Sequence, residues 1–372
     1  MDTASLFSPD YATARSRIRE AASRLGCQMQ AHPVGGKGPR GEDLTIDVVI
    51  IPGTSMDRTL VISSGIHGVE GLFGSAVQLG LLKEWISRTQ YPPPVRCVLL
   101  HGLNPFGFAW RRRFNETNVD LNRNLLREGE AFGGSPEGYA RLDNLLNPKR
   151  APSPWEPVTL KLLLAIARYG MPALKQAVAS GQYDYPRGLF YGGDRPSRLS
   201  EVLSTYFDGW LGDSRQVMHL DFHTGLGARA TCKLLIDYPL TEVHHRRLSA
   251  WFGTDSFEAL HSQGVAYTVR GSFGQWCVTW NRRLDYLYAA AEFGTYKPIE
   301  VLAGLRAENQ AHHWCRPEDV STERAKQQLV ELFCPRSTGW RARVFEHSRR
   351  LVAQAISGLI GETEEEEQKA PA

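Results

Sequence analysis

The chain has 372 residues, 42% of them hydrophobic and 22% charged, enough to bury the core of one large domain or two ordinary ones. Its 43 basic and 40 acidic residues leave a formal charge of +3, which gives no argument for nucleic acid or a membrane as a partner. No run reaches the roughly 18 apolar residues of a membrane helix, no basic-then-apolar leader opens at Met1, and the six cysteines include no C-x-x-C pair. A cytoplasmic location is expected, with neither a disulfide framework nor a thiolate metal site.

Ser8, Pro9 and Asp10 precede an amphipathic run and predict a capped helix to about residue 25. Strand-like runs follow at Gln28–His32 and Leu44–Ile51, with Gly35, Gly36, Gly38 and Gly41 crowding the turn between them. Strand and helix then alternate. Strands are expected at Thr59–Ser63, Val95–His101, Val217–Phe222, Cys232–Tyr238, Val265–Val269 and Tyr286–Ala291. Helices are expected at Gly71–Trp85, Glu242–Phe252 and Ile299–His312, with a closing helix at Arg341–Ile360. The pattern predicts an α/β fold: a mixed, mostly parallel twisted sheet with helices on both faces. Residues 124–215 interrupt it with a Pro- and Gly-rich loop, a helical stretch over 157–179 and the aromatic segment Gly181–Gly193. They read as a helical and loop insertion in a single domain spanning 1–361. Four consecutive glutamates in 362–372 suggest an acidic disordered tail.

Four segments carry chemistry, each at or just after an expected strand end, where functional groups gather in open α/β sheets. Ser63-Ser64-Gly65-Ile66-His67-Gly68-Val69-Glu70-Gly71 places an imidazole and a carboxylate three residues apart on a glycine-flanked turn. Both groups suit zinc, although an isolated H-x-x-E match is usually only a turn glutamate beside a loop histidine. Beyond the next strand comes Arg113-Phe114-Asn115-Glu116-Thr117-Asn118-Val119-Asp120-Leu121-Asn122-Arg123. Asn122 and Arg123 offer an amide and a guanidinium fork for a carboxylate, and Asp120 could accept from the far nitrogen of a metal-bound histidine. His223 closes His219-Leu220-Asp221-Phe222-His223-Thr224-Gly225 and could be a third ligand, with His219 deeper in the strand. Glu292, closing Ala289-Ala290-Ala291-Glu292, is a carboxylate at the end of an apolar run and could serve as general base. Three zinc ligands with an open fourth position, an anion clamp and a spare carboxylate are what a catalytic zinc hydrolase requires. No G-x-S-x-G elbow supports a serine hydrolase.

Over roughly residues 45–300, insertion excluded, these motifs resemble the zinc carboxypeptidases of the carboxypeptidase A type, in a branch near the aspartoacylase and succinylglutamate desuccinylase group. The resemblance implies one Zn²⁺ per chain held by His67, Glu70 and His223, with Asp120 supporting the first histidine. It further implies that Asn122 and Arg123 bind the substrate carboxylate, that Arg113 (with Arg112 an alternative) polarises the scissile carbonyl, and that Glu292 acts as general base on a metal-activated water. The expected activity is a carboxypeptidase-like hydrolase cleaving an amide bond next to a free carboxylate in a small peptide. The alternative is an N-acyl amino acid deacylase of the aspartoacylase type, and a third reading is a non-catalytic binding protein. The substrate-capping tyrosine of the family has candidates in Tyr185, Tyr191 and Tyr267, and the segment Gly181–Gly193 is expected at the mouth of the site.

Overall fold

In the computed structural model, residues 2–87, 93–170, 180–259, 269–280 and 283–369 are described. Asp10 starts the first helix as its sequence suggests: the carboxylate accepts from the Thr13 amide at 2.8 Å and caps α1 (Tyr11–Arg24). Among the described residues, eight strands form one sheet: β1 (Gln28–Lys37), β2 (Asp43–Ile51), β3 (Ser55–Ser64), β4 (Val95–His101), β5 (Gln216–Arg229), β6 (Cys232–Ile236), β7 (Phe257–Ala259) and β8 (Asp285–Gly294). Their order is β1-β2-β4-β3-β5-β8-β6-β7. The central four, β4-β3-β5-β8, run parallel; β1 joins β2, β2 joins β4 and β6 joins β8 antiparallel, and β7 lies parallel to β6. Parallel strands are covered on both faces, so they read as unbroken apolar runs; Leu60, Val61 and Ile62 of β3 are all fully buried.

The two layers of helices can be read from the aromatic contacts. Phe222 of β5 and Phe293 of β8 meet Phe73 of α2 (Gly71–Ser87), which also touches Trp340 of the C-terminal helix. On the opposite face, His219 and Tyr288 pack on Phe273, and Tyr286 on Phe207. Phe273 opens the helix Phe273–Trp280, and Phe207 lies in a helix (Arg198–Leu211) capped by Ser197. The helices in chain order are therefore α1, α2, α3 (Pro105–Ala109), α4 (Tyr139–Leu146), α5 (Val158–Tyr169), α6 (Arg198–Leu211), α7 (Glu242–Phe252), α8 (Phe273–Trp280), α9 (Pro298–Trp314), α10 (Val320–Phe333) and α11 (Thr338–Lys369). Within the described residues no helix is long and apolar enough to cross a membrane.

Segment 124–215 contains α4, α5 and α6. Tyr139, Leu142 and Leu146 of α4, with Leu189 and Phe190, join Val301, Leu305, Leu329 and Phe333 of α9 and α10 in a second apolar cluster. A buried ion cluster ties the same region together. Arg112 Nε lies 2.8 Å from Glu308 Oε1, and Lys326 Nζ reaches the same oxygen at 3.0 Å. Removing one member of such a buried group leaves a charge without compensation, which costs about 3–5 kcal/mol.

Several elements differ from the sequence expectation. β5 continues past Phe222 to Arg229, but its regular ladder with β8 ends at the pair Thr224↔Phe293, because the glycine-bearing stretch after it is irregular. The helices α6, α8 and α10 had not been anticipated; α10 carries charged residues through most of its length, so its apolar stripe of Ala325, Leu329, Leu332 and Phe333 is thin. α11 extends as helix through most of the segment expected as a disordered tail, in keeping with the good helix propensity of its glutamates. The expected strand over 265–269 and the helical stretch over 171–179 fall, apart from Val269, outside the described residues.

Candidate metal centre and active site

The turn that leaves β3 is fixed by close backbone approach. Gly65 has φ +72°, and a Cβ on Gly68 would lie 2.1 Å from the carbonyl carbon of Gly107, so only glycine fits there. The Gly68 and Val69 amides donate to the carbonyls of Arg113 (3.2 Å) and Arg112 (2.7 Å), lacing this turn to the loop after α3. His67 caps the short 3-10 turn Gly68–Glu70, and both side chains turn inward, 5% and 2% exposed.

His223, on β5, comes to the same point. His67 Nδ1 lies 3.0 Å from Glu70 Oε1, and His223 Nδ1 lies 3.0 Å from Glu70 Oε2. One ligand atom from each of the three falls within 4.8 Å of the others, and the imidazole centroids are 5.1 Å apart. Donors bound tetrahedrally at zinc distances stand roughly 3.3 Å from one another, so two imidazole nitrogens and a carboxylate at this spacing fit a zinc ion. The electrostatics agree with a site built for a cation. Burial acts to raise the Glu70 carboxyl, but His67 and His223 beside it bring it down to about 2. Burial likewise opposes charge on His223, yet Asp221 and Glu70 hold its imidazole well above the ordinary value.

Glu292 is the register partner of His223 in the β5–β8 ladder, which brings the two to one level at the carboxyl ends of the strands. Its Oε1 accepts from the Leu226 amide at 2.8 Å. Burial, and then the charge of Glu70, lifts its carboxyl to about 7.

Asp120 holds the other side of the site. Its Oδ2 accepts from Arg113 Nε at 2.8 Å, and its Oδ1 lies 3.3 Å from His67 Nε2. Arg113 Nη2 also reaches His67 Nε2, at 2.7 Å. That contact needs an unprotonated Nε2, so it would open if Nδ1 held a metal and Nε2–H turned to Asp120. The three successive arginines have separate tasks: Arg111 pairs with Glu323, Arg112 points away from the site to Glu308, and Arg113 faces His67. Of the two arginines expected near a scissile carbonyl, it is therefore Arg113 and not Arg112 that lies beside the proposed ligands.

Arg123 is buried, donates from Nη1 to the Asn122 carbonyl at 2.6 Å, and acts with Arg113 on the charge of Asp120, which is held well below the usual carboxylate range despite its burial. Asn122 Oδ1 accepts from the Phe273 amide at 2.8 Å, which ties this loop to α8.

Segment Gly181–Gly193 lies on the site side of the sheet. The Tyr191 carbonyl accepts from the Asp120 amide at 2.7 Å, the Tyr183 hydroxyl donates to the Arg123 carbonyl at 2.7 Å, and the Phe190 ring faces the Arg113 guanidinium at 5.4 Å. Phe190 holds φ +60°, a conformation that costs a non-glycine residue on the order of 1–3 kcal/mol. Tyr185 instead packs on Tyr139 of α4, and Tyr267 lies outside the described residues.

The sequence reading had passed over the asparagines that shape these loops. Asn118, at φ +64°, donates to the Pro186 and Gly188 carbonyls, and Asn124 donates to those of Gly192 and Arg195. It had also passed over Asp221, which shares a strand face with His223 and contacts its Nε2 at 2.7 Å. The two-residue spacing along β5 was a signal for that contact.

Sheet order, strand-end site and paired helix layers together define a carboxypeptidase-like α/β fold. One solved structure bears this out: bovine thrombin-activatable fibrinolysis inhibitor, determined in complex with a tick carboxypeptidase inhibitor, is 11% identical over 95% of this chain and 97% of its own, with a TM-score of 0.52. The carboxypeptidase A of Helicoverpa armigera matches at 12% identity over 94% of this chain and 73% of its own, TM-score 0.48. A protein from Shewanella amazonensis SB2B described as succinylglutamate desuccinylase / aspartoacylase family matches at 19% identity over 77% and 71%, TM-score 0.38. At these identities the likeness concerns the fold alone. The chain belongs to the DUF2817 family, described as a protein of unknown function, whose model matches residues 7–347. No curated protein matches it.

Proposed function

We propose that this chain is a zinc-dependent hydrolase that cleaves an amide bond next to a free carboxylate, working on a single domain of residues 1–361. The observation that carries this reading is the convergence of His67, Glu70 and His223 with Glu292 in register beside them. One Zn²⁺ held by the three ligands would supply Lewis acidity, lowering the pKa of water and polarising a carbonyl. Glu292 takes the proton from the attacking water and returns it to the leaving nitrogen. Arg113, once released from His67, faces the carbonyl oxygen as negative charge develops there. Asn122 and Arg123 hold the substrate carboxylate, and Asp120 orients His67.

Peptide ends and N-acyl amino acids both present such a bond. The deacylase reading gains from the cover over the site, since Tyr183, Phe190 and Tyr191 contact Arg123, Arg113 and Asp120 beside the ligands, which are themselves buried. Covered mouths suit small substrates.

The test is a hydrolysis screen with N-acyl amino acids and short peptides, with and without a chelator, on protein whose metal content is known. About one zinc per chain and chelator-sensitive hydrolysis are expected; metal-free protein that hydrolyses none of these substrates, even with zinc added, defeats the proposal. Arg123→Ala should raise KM roughly 10–100-fold for substrates with a free carboxylate, because a charge-assisted hydrogen-bond pair is lost in ground and transition states alike. Amidated substrates should bind poorly to the wild type and respond little to the substitution. Equal cleavage of free and amidated substrates by the wild type would remove the clamp.

A further inference from the structure

Beneath the ligands lies a polar network in which every member is buried. Asp221 receives hydrogen bonds from three adjacent parallel strands: Ser63 Oγ of β3 to Oδ1 at 2.6 Å, Tyr288 Oη of β8 to Oδ2 at 2.8 Å, and His223 Nε2 on its own strand to Oδ2 at 2.7 Å. Ser63 Oγ also lies 2.6 Å from His219 Nε2, and His219 Nδ1 lies 2.8 Å from the Tyr286 hydroxyl, with Cys277 Sγ at 3.8 Å. Ser63, His219, Asp221 and their two tyrosine partners are 0–4% exposed.

The donor count fixes where the protons sit. Ser63 spends its only proton on Asp221, so it can only accept from His219, which places the His219 proton on Nε2. His219 Nδ1 is then an acceptor and takes the Tyr286 O–H. Tyr288 gives its proton to Asp221 as well. Every bond runs toward Asp221, and an ionised carboxylate has no proton to return. His223 must therefore present Nε2–H to Asp221, so Nδ1, which lies 3.0 Å from Glu70 Oε2, is the nitrogen that would give up its proton to a metal there.

We propose that Asp221 is the positioning residue of the metal centre: it locks His223 in the tautomer and orientation that a metal requires, and Ser63, His219, Tyr286 and Tyr288 hold Asp221 in turn. This rests on the metal reading of His67, Glu70 and His223. Outer partners of ligating histidines typically set metal affinity by about 10–100-fold. An asparagine keeps only one acceptor oxygen there, so its NH₂ either forces Ser63 and His219 to reverse their protons or faces Tyr288 and the Nε2–H of His223.

The experiment is zinc affinity by chelator competition on the full chain, with the ¹⁵N shifts of His223 read by NMR to report its tautomer. Asp221→Asn should weaken zinc binding about 10–100-fold and, in the zinc-bound protein, shift the Nε2–H signal that reports the His223 tautomer. Tyr288→Phe removes one donor and little volume, and should weaken binding several-fold; it decides the matter if Asp221→Asn does not fold. Zinc affinity within two-fold of wild type in folded variants, with an unchanged His223 tautomer, overturns the inference while leaving the metal centre intact. Wild-type protein that binds no zinc overturns the metal reading, and this inference with it.

Discussion

His223→Ala is expected to lose zinc and hydrolysis together. A catalytic zinc needs its three protein ligands to keep the fourth position open for chemistry, and loss of one should weaken binding beyond the ~10–100-fold cost of disturbing an outer partner. The chain should remain folded but be less stable. Glu70 Oε2 would keep only its longer contact with the Thr224 amide at 3.3 Å, and Asp221 Oδ2 would keep only Tyr288. Both carboxylates would be buried and short of a donor, a cost of about 1–3 kcal/mol each. The checks are elemental zinc per chain and turnover, with circular dichroism to confirm the fold. A variant that keeps one zinc per chain and wild-type turnover takes His223 out of the site. His67→Ala should behave alike for metal and activity.

Glu292→Gln should separate chemistry from metal. The amide is nearly the same shape and can still accept from the Leu226 amide through its oxygen, so zinc content should stay near one per chain. It cannot accept the proton of the attacking water, and turnover should fall about 10²–10⁴-fold. The pH dependence gives a second check. A general base works only when ionised, so wild-type activity should fall as pH drops through the range in which this carboxyl is protonated. Burial and Glu70 set that range at about 7, and a cation at the triad draws it lower. That limb should vanish in the glutamine variant. Loss of zinc in place of turnover would make Glu292 a ligand and not the base.

The parts of the site legible in the sequence are those whose geometry is local. His67 and Glu70 share one glycine-bound turn, and a turn of fixed shape converts a spacing of three residues into a common direction. Alternating strands and helices gave the mixed sheet, because apolar runs bounded by glycines leave few alternatives. His223 was reachable as the polar end of an apolar run, although the strand carrying it proved longer than its apolar part.

Side-chain direction in loops was not legible. Arg111, Arg112 and Arg113 are the same residue type in succession, and they separate because Arg111 takes φ +53° and turns the chain between its neighbours. Only partners distant in sequence, Glu308 for one and Asp120 for the other, decide which arginine is structural and which faces the site. The buried network about Asp221 was hidden for a similar reason: Ser63 and Tyr288 come from strands 158 and 67 residues away. The helix α10 was missed because charged residues dilute its apolar stripe.

The hydrogen bonds from Gly68 and Val69 to the carbonyls of Arg113 and Arg112 bear on how the chain could be divided. Every proposed ligand and the proposed base lie before residue 298. A fragment ending there would contain the entire reactive set and most of the sheet. Yet the segment that shapes the His67–Glu70 turn is moored by Arg112 to Glu308 and by the Trp110 carbonyl to Lys326, both beyond that point. Such a fragment would have the chemistry in its inventory without the anchorage that aims it. Competence here belongs to the chain through α10, and no shorter minimal unit should be sought by trimming from the C-terminal side.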